Sequence, residues 1–287
     1  MTEAATILDT LVREVERSGF GAHGLHVLVG DDGAEHRWTA DVREEIHSVT
    51  KAVSVLAAGI AQDEGLISLD SPVVDDLPDI RPGAGAEEVT LRQLLSMSSG
   101  IDLPWSETMM TDWPDLAAEF LSRPSQGRVF QYSNASTYTA MAVLAARVGD
   151  VRQYLEPRLF APLGLEDLEW RRSPAGRVLA GEGIALRTEE MARLGRLIRD
   201  RGVWRGDRLV SSEIIDAMHS DWVRAGSTRG YERYALSGWD GPGPGWRLHG
   251  AYGQLIVFHE RAVVTVSAAD HLGADAFAAF VTGSLEH

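Results

Sequence analysis

Residues 48–60 read SVTKAVSVLAAGI, a run that is apolar at Val49, Ala52, Val53, Leu56, Ala57 and Ile60. Apolar positions spread over more than one side of a 3.6-residue period predict a helix buried on several faces. Lys51 falls in its first turn, and Ser48 stands three residues earlier, at the helix start and on the same face. A serine hydroxyl and a lysine amine can therefore meet.

That lysine is singular. The chain holds 26 arginines and one lysine among its 27 basic residues. Arginine stays protonated in proteins, whereas a lysine shielded from water can lose its proton and act as a base. A seryl hydroxyl is a weak nucleophile until a neighbouring base takes its proton, and a desolvated lysine is one such base. Bringing a lysine from about 10.4 to near neutrality costs roughly 4 kcal/mol, which burial in an apolar helix can supply. The positive end of the helix dipole works in the same direction and places the Ser48 N–H where an oxyanion could form. With serine at 21 of 287 positions, Ser-x-x-Lys is weak as a bare pattern and needs support from elsewhere.

Moving outward, residues 4–18 predict an amphipathic helix, and LHVLVGD with EHRWTA, joined by Asp32-Gly33, predict a hairpin. TLRQLLSMSSG predicts a short helix capped by Thr90 and stopped by Gly100. Further helices are expected at about 115–122, 137–148, 151–160 and 188–201. From about 230 the pattern turns to strands, RYALSGW, WRLHGAYGQLIVFH and AVVTVSAA, with GPGPG at 241–245 as a loop and a terminal helix that includes 274–281. Strands at both ends thus enclose a helical middle.

Several segments, in this order, carry a resemblance over nearly the whole chain: SVTK at 48, EGLISLDSPV followed by TLRQLLSMSSGI, FQYSNASTYTAMAVLAARVG, YLEPRLFAPLGLEDLEW, and RTEEMARLGRLIRDRGVWRGDRLVS. The chain resembles the serine beta-lactamase and penicillin-binding-protein-like superfamily. The likeness is to the branch of class C enzymes, D-alanyl-D-alanine carboxypeptidases, family VIII esterases and 6-aminohexanoate oligomer hydrolases. The resemblance implies an α+β, beta-lactamase/transpeptidase-like fold, an antiparallel sheet flanked by helices plus an inserted helical subdomain. Residues 1–284 would form one catalytic domain, with an α/β part at about 1–70 and 176–284 and a helical part at about 71–175. Residues 285–287, Leu-Glu-His, look like the remnant of a tag.

The resemblance implies that Ser48 is the acyl-forming nucleophile and that Lys51 and Tyr132 share proton transfers, Tyr132 and Asn134 matching the family's Tyr-x-Asn motif. The residue types suit these roles, since a phenol near a positive group can be drawn toward phenolate and pass a proton to a leaving group. Asn134 offers an amide to orient Lys51 or a substrate carbonyl. The third motif departs from the pattern. Lys-Thr-Gly is one of the family's signatures, and here Leu248-His249-Gly250-Ala251 stands in its place. Anchored on Gly250-Ala251, His249 takes the threonine position, Leu248 the lysine position, and Ala251 N–H becomes the second oxyanion donor. An alternative register anchors on His249 and puts Ala251 at the glycine. Without the lysine that meets a substrate carboxylate, uncharged esters, amides or lactams are the expected small-molecule substrates. Acyl transfer, beta-lactamase or D,D-peptidase activity, and a non-catalytic binding module are the alternatives.

Composition narrows the remaining classes. A net charge of 27 − 42 = −15 disfavours nucleic-acid and membrane partners. With no cysteine, thiol nucleophiles, disulfides and cysteine-ligated zinc are excluded. The acidic start and the lack of a long apolar run point to a cytoplasmic protein. No metal or cofactor is expected: GFGAHG at 19–24 lies between helix and strand in the wrong order for a dinucleotide, and His23 and His26 fall on opposite faces. His47 reads as a residue at the helix start, and Trp105, Trp113 and Trp239 as walls of an apolar cleft. The oligomeric state is not legible.

Overall fold

The computed structural model describes residues 2–110 and 113–286. The chain opens with α1 (Glu3–Ser18), whose first turn is capped by Thr2 and which ends at Gly19 in the left-handed conformation. Next come β1 (Ala22–Val29) and β2 (Asp32–Arg37), the expected hairpin. Its turn is Gly30-Asp31 rather than Asp32-Gly33: Val29 pairs with Asp32, and Gly30 supplies the positive φ, 55°, that a two-residue turn requires. β3 (Glu44–Glu45) leads through a 3-10 turn, His47–Val49, into α2 (Thr50–Asp63).

Helices fill the middle of the chain: α3 (Leu91–Leu95), α4 (Trp105–Met110), α5 (Leu116–Ser122), α6 (Asn134–Val148), α7 (Val151–Leu155) and α8 (Ala161–Leu163), the last two linked by a π turn, Glu156–Phe160. β4 (Ala185–Leu186) pairs with β3, and α9 (Thr188–Arg199) follows. The small hairpin β5 (Val203–Trp204) and β6 (Asp207–Arg208) and α10 (Ser212–Ala217) come next. The remaining strands are β7 (Val223–Arg224), β8 (Arg233–Tyr234), β9 (Trp239–Asp240), β10 (Trp246–Gly250), β11 (Gln254–Phe258) and β12 (Val263–Ala268). α11 (Ala274–Leu285) ends the fold.

Eight strands make one antiparallel sheet in the order β2-β1-β12-β11-β10-β9-β8-β7, so the two ends of the sequence meet where β1 pairs with β12. Side chains alternate across it. Leu255, Val257, Val264 and Val266 face the layer of α1 and α11. Ile256, Phe258 and Val263 join the larger core with α2, α6 and α9. That core also holds Leu94, Phe120 and Leu144, so the helical middle and the sheet share one interior. α2 is buried without interruption from Thr50 to Ala61, as the spread of apolar residues around it requires. No helix among the described residues is long and apolar enough to cross a membrane.

Three further local expectations are corrected. α3 has the expected Thr90 capping box with Gln93 but stops at Leu95, because Met97 and Gly100 both take left-handed backbone, at φ 57° and 65°. The strand expected from WRLHGAYGQLIVFH is broken into β10 and β11 by a tight turn, Ala251–Gly253. Leu285, set aside with the tag remnant, is fully buried and its carbonyl accepts from Arg261 Nη1 at 2.9 Å, which makes it part of the fold. His287 lies outside the described residues.

Candidate active site

Ser48 sits in the 3-10 turn ahead of α2 and Lys51 in the first turn of the helix itself. The Lys51 side chain is fully buried and its Nζ lies 3.0 Å from Ser48 Oγ, 2.7 Å from Asn134 Oδ1 and 2.9 Å from the Gly181 carbonyl oxygen. Two of these neighbours are pure acceptors, and the third is a hydroxyl that can donate. An ammonium donates to all three, whereas a neutral amine donates to the two carbonyl oxygens and keeps its lone pair for the Ser48 hydroxyl. Burial pulls the amine down to about 7, with the Glu182 carboxylate working in the opposite direction. The lowered pKa and the 3.0 Å contact together allow the amine, once neutral, to accept the Ser48 proton.

Tyr132 stands in the loop before α6, and that loop is held from below by Met97. The Met97 carbonyl accepts from Gln131 N–H at 2.8 Å, and Ser133 N–H points to Met97 Sδ at 3.5 Å. From the other side the Tyr132 carbonyl accepts from Trp105 N–H at 3.2 Å. Lys51 Nζ lies 4.9 Å from the Tyr132 ring centroid, over its face. Burial pushes the phenol up to about 12, and its hydrogen bond with Ser48 pulls back only part of the way. The expected drift toward phenolate is therefore corrected: desolvation exceeds the pull of the Ser48 hydrogen bond, which keeps the Tyr132 phenol protonated. Behind it stands an aromatic wall. Trp239 stacks on Tyr132 at 5.8 Å, and Tyr234 meets both rings edge-on.

Asn134 opens α6 and is fixed by its neighbour on a distant loop. A Cβ at position 181 would lie 2.7 Å from Asn134 Oδ1, so glycine is needed for the loop to come this close. Ser54, one turn after Lys51 on α2, donates to the Ala180 carbonyl at 2.9 Å and pins the same loop. Gly181 and Glu182, whose carbonyl and charge act on Lys51, are neighbours of this cluster that the sequence reading did not pick out. The Gly-Glu-Gly run at 181–183 is a signal for a loop, and nothing local connects it with a lysine 130 residues away.

The third segment approaches the same turn. A Cβ on Gly250 would collide with the Ile46 carbonyl oxygen, so glycine lets the end of β10 pack against the residues that lead into Ser48. Among the described residues, no hydrogen bond outside the helices and strands engages the Ser48 or the Ala251 N–H. Leu248 is buried in the core. His249 turns toward α11, where Nδ1 lies 3.0 Å from Tyr231 Oη and 3.3 Å from Arg247 Nε. Burial, reinforced by the Arg247 charge, pushes His249 down to about 4. Tyr231 in turn donates to Asp275 at 2.6 Å, and the buried Arg247 also donates to the Gly230 carbonyl at 2.9 Å. Trp239 is buried against Tyr132 rather than lining an open cleft, whereas Trp105 is half exposed. Trp113 Nε1 is buried without a partner among the described residues.

A sequence profile described as "Beta-lactamase" matches residues 11–284. The chain belongs to the beta-lactamase family. A known relative of this beta-lactamase-family protein, the 6-aminohexanoate-dimer hydrolase of Paenarthrobacter ureafaciens, is 29% identical over 212 residues, 66% of this chain and 52% of that protein. The chain thus spans about half the length of that relative. A solved structure described as a class C beta-lactamase superposes with a TM-score of 0.78 at 16% identity, covering 100% of this chain and 98% of that one. The D-amino acid amidase from Ochrobactrum anthropi SV3, solved with L-phenylalanine amide, gives 0.76 at 16% identity, covering 99% of each chain. The beta-lactamase/transpeptidase-like fold implied by the sequence resemblance is the fold of this family member.

Proposed function

We propose that this beta-lactamase-family protein is a serine hydrolase that cleaves small uncharged esters or amides through an acyl-enzyme on Ser48. The observation that carries this is the single lysine of the chain, buried and held near neutrality, 3.0 Å from the Ser48 hydroxyl. In acylation the Lys51 amine takes the Ser48 proton as Oγ attacks the substrate carbonyl. The tetrahedral oxyanion accepts from the Ser48 and Ala251 N–H groups. The new Lys51 ammonium lies over the Tyr132 face, a cation–π placement worth about 0.5–2 kcal/mol. Tyr132 passes its proton to the departing alkoxide or amine and is reprotonated from Lys51. Water then attacks the acyl ester by the same route in reverse.

The third segment supports uncharged substrates. Leu248 and the neutral imidazole of His249 offer no cation to a substrate carboxylate, and Arg247 donates to backbone carbonyls and His249. The relative named for 6-aminohexanoate-dimer hydrolysis and the amidase neighbour favour amides alongside esters. Intact-mass measurement after treatment with a fluorophosphonate tests the nucleophile. An adduct on Ser48 is expected, and its absence in a folded protein under all conditions would leave a non-catalytic module. A panel of para-nitrophenyl esters, small amides and nitrocefin tests the substrate class. Nitrocefin as the best substrate would overturn the preference for uncharged acyl groups.

A further inference from the structure

Both proposed oxyanion donors are flanked by residues in the left-handed region, and neither of those residues is glycine. His47, immediately before Ser48, has φ 46°. Tyr252, immediately after Ala251, has φ 61° and ψ 18°. Side chains with a Cβ avoid this backbone, and such residues persist only where their surroundings hold them. Here each holds the other: the two rings lie 5.1 Å apart, centroid to centroid, with their planes tilted by 50°. Further support comes from outside the pair. Tyr252 lies 6.0 Å from the His271 ring, and its carbonyl accepts from Asp270 N–H at 3.0 Å. His47 lies beside Glu45, whose Oε1 is 3.9 Å from its Nδ1. Tyr252 is nevertheless 52% exposed, an unusual expense of aromatic surface unless the ring acts at the rim of the site. Ala251 is thereby confined between Gly250, pressed on the Ile46 carbonyl, and Tyr252, locked on His47.

We propose that the His47 and Tyr252 rings form a clasp that fixes the spacing of the Ser48 and Ala251 N–H groups, making both positioning residues for the oxyanion hole. The inference rests on the acyl-enzyme reading above. Two donors serve a transition state only if their separation is set before the charge develops, and a small misplacement weakens both. The clasp ties the turn that carries the nucleophile to the turn between β10 and β11, which lie far apart in sequence and share no covalent brace.

The test is the rate at which a small alkyl fluorophosphonate labels Ser48. In that step the Oγ–P bond forms, the P–F bond breaks, fluoride leaves and the Oγ proton passes to Lys51. Tyr252→Gly removes the ring while placing at φ 61° the residue most at ease there, so the fold is preserved and the melting temperature should not fall. Labelling is expected to slow by about 10- to 100-fold, with kcat on a para-nitrophenyl ester falling and KM little changed. Tyr252→Phe keeps the ring and should restore the rate. His47→Asn, a residue type that tolerates left-handed backbone, gives a second variant, and the double variant should be no slower than the slower single one. Wild-type labelling by Tyr252→Gly, a slow Tyr252→Phe, a loss confined to KM, or additive losses in the double variant would overturn the clasp and leave the hydrolase reading standing. A wild-type protein that takes no label and turns over no ester or amide would remove both.

Discussion

In the proposed mechanism Lys51 concentrates the chemistry because its two protonation states have such different costs in the same place. Burial holds the amine at about 7, against roughly 10.4 in an unfolded chain. Between these values the unfolded state binds a proton that the folded state does not, so this group's contribution to stability rises with pH across that window and is least below about 7. Urea denaturation from pH 7 to 9 should show wild type gaining stability relative to Lys51→Met, which lacks the titration; parallel curves would contradict a buried neutral amine. Activity should follow the same group, with kcat/KM rising through a limb near pH 7 as the base loses its proton. Lys51→Arg keeps a positive charge at every pH and should lose on the order of 10³-fold in acylation rate, measured by stopped-flow on an activated ester. Tyr132 makes a complementary test. A para-nitrophenolate departs without a proton and an amine does not, so Tyr132→Phe should lose far more activity on amides than on para-nitrophenyl esters. Equal losses on both would remove its role as donor to the leaving group.

At the scale of elements, the site is a meeting of four short segments, each held by something other than its own sequence. The turn before α2 gives Ser48, α2 gives Lys51, the loop before α6 gives Tyr132, and the loop at 179–183 closes the pocket around the amine. The first three were proposed from the sequence because a lone lysine three residues after a serine in an apolar helix gave a weak pattern, which the resemblance over the rest of the chain, Tyr-x-Asn included, supported. The fourth was not, since its role depends on a backbone carbonyl and on the absence of a side chain. Gly181→Ala tests that role. Its Cβ would press on Asn134 Oδ1, and either the amide or the loop must shift, lengthening the Lys51 contacts. The variant should fold, keep a fluorophosphonate-reactive Ser48 and show a base limb displaced in pH, because Lys51 loses an acceptor on one side. An unchanged pH–rate profile would show that the loop merely covers the site.

Across the whole molecule, the outline of the fold was readable from order alone, strands at both ends around a helical middle, because the antiparallel sheet is closed by pairing β1 with β12. What the pattern could not supply was where long-range packing cuts an apolar run. β10 and β11 read as one strand until Gly250 and Gly253 bend the chain, and the aromatic wall behind Tyr132 gathers Trp239 and Tyr234 from a stretch whose strands are two residues each. Charge is a property of the whole that the site also feels. A net −15 sets a negative field around the molecule, and along β10 neither Leu248 nor the neutral His249 offers a substrate a cation against it. Screening length falls from about 30 Å at 0.01 M salt to about 3 Å at 1 M, so that field should reach an approaching substrate only at low ionic strength. A neutral para-nitrophenyl butyrate and a para-nitrophenyl hemisuccinate, similar in size and equal in leaving group, separate this from other effects. The kcat/KM for the neutral ester should be insensitive to salt, while that for the anionic ester should climb several-fold as sodium chloride is raised from about 10 mM to about 500 mM. A hemisuccinate rate that falls with salt would instead place an attracting cation within reach of Ser48, and would return the third segment to the carboxylate-binding role that Leu248 and His249 are inferred to have lost.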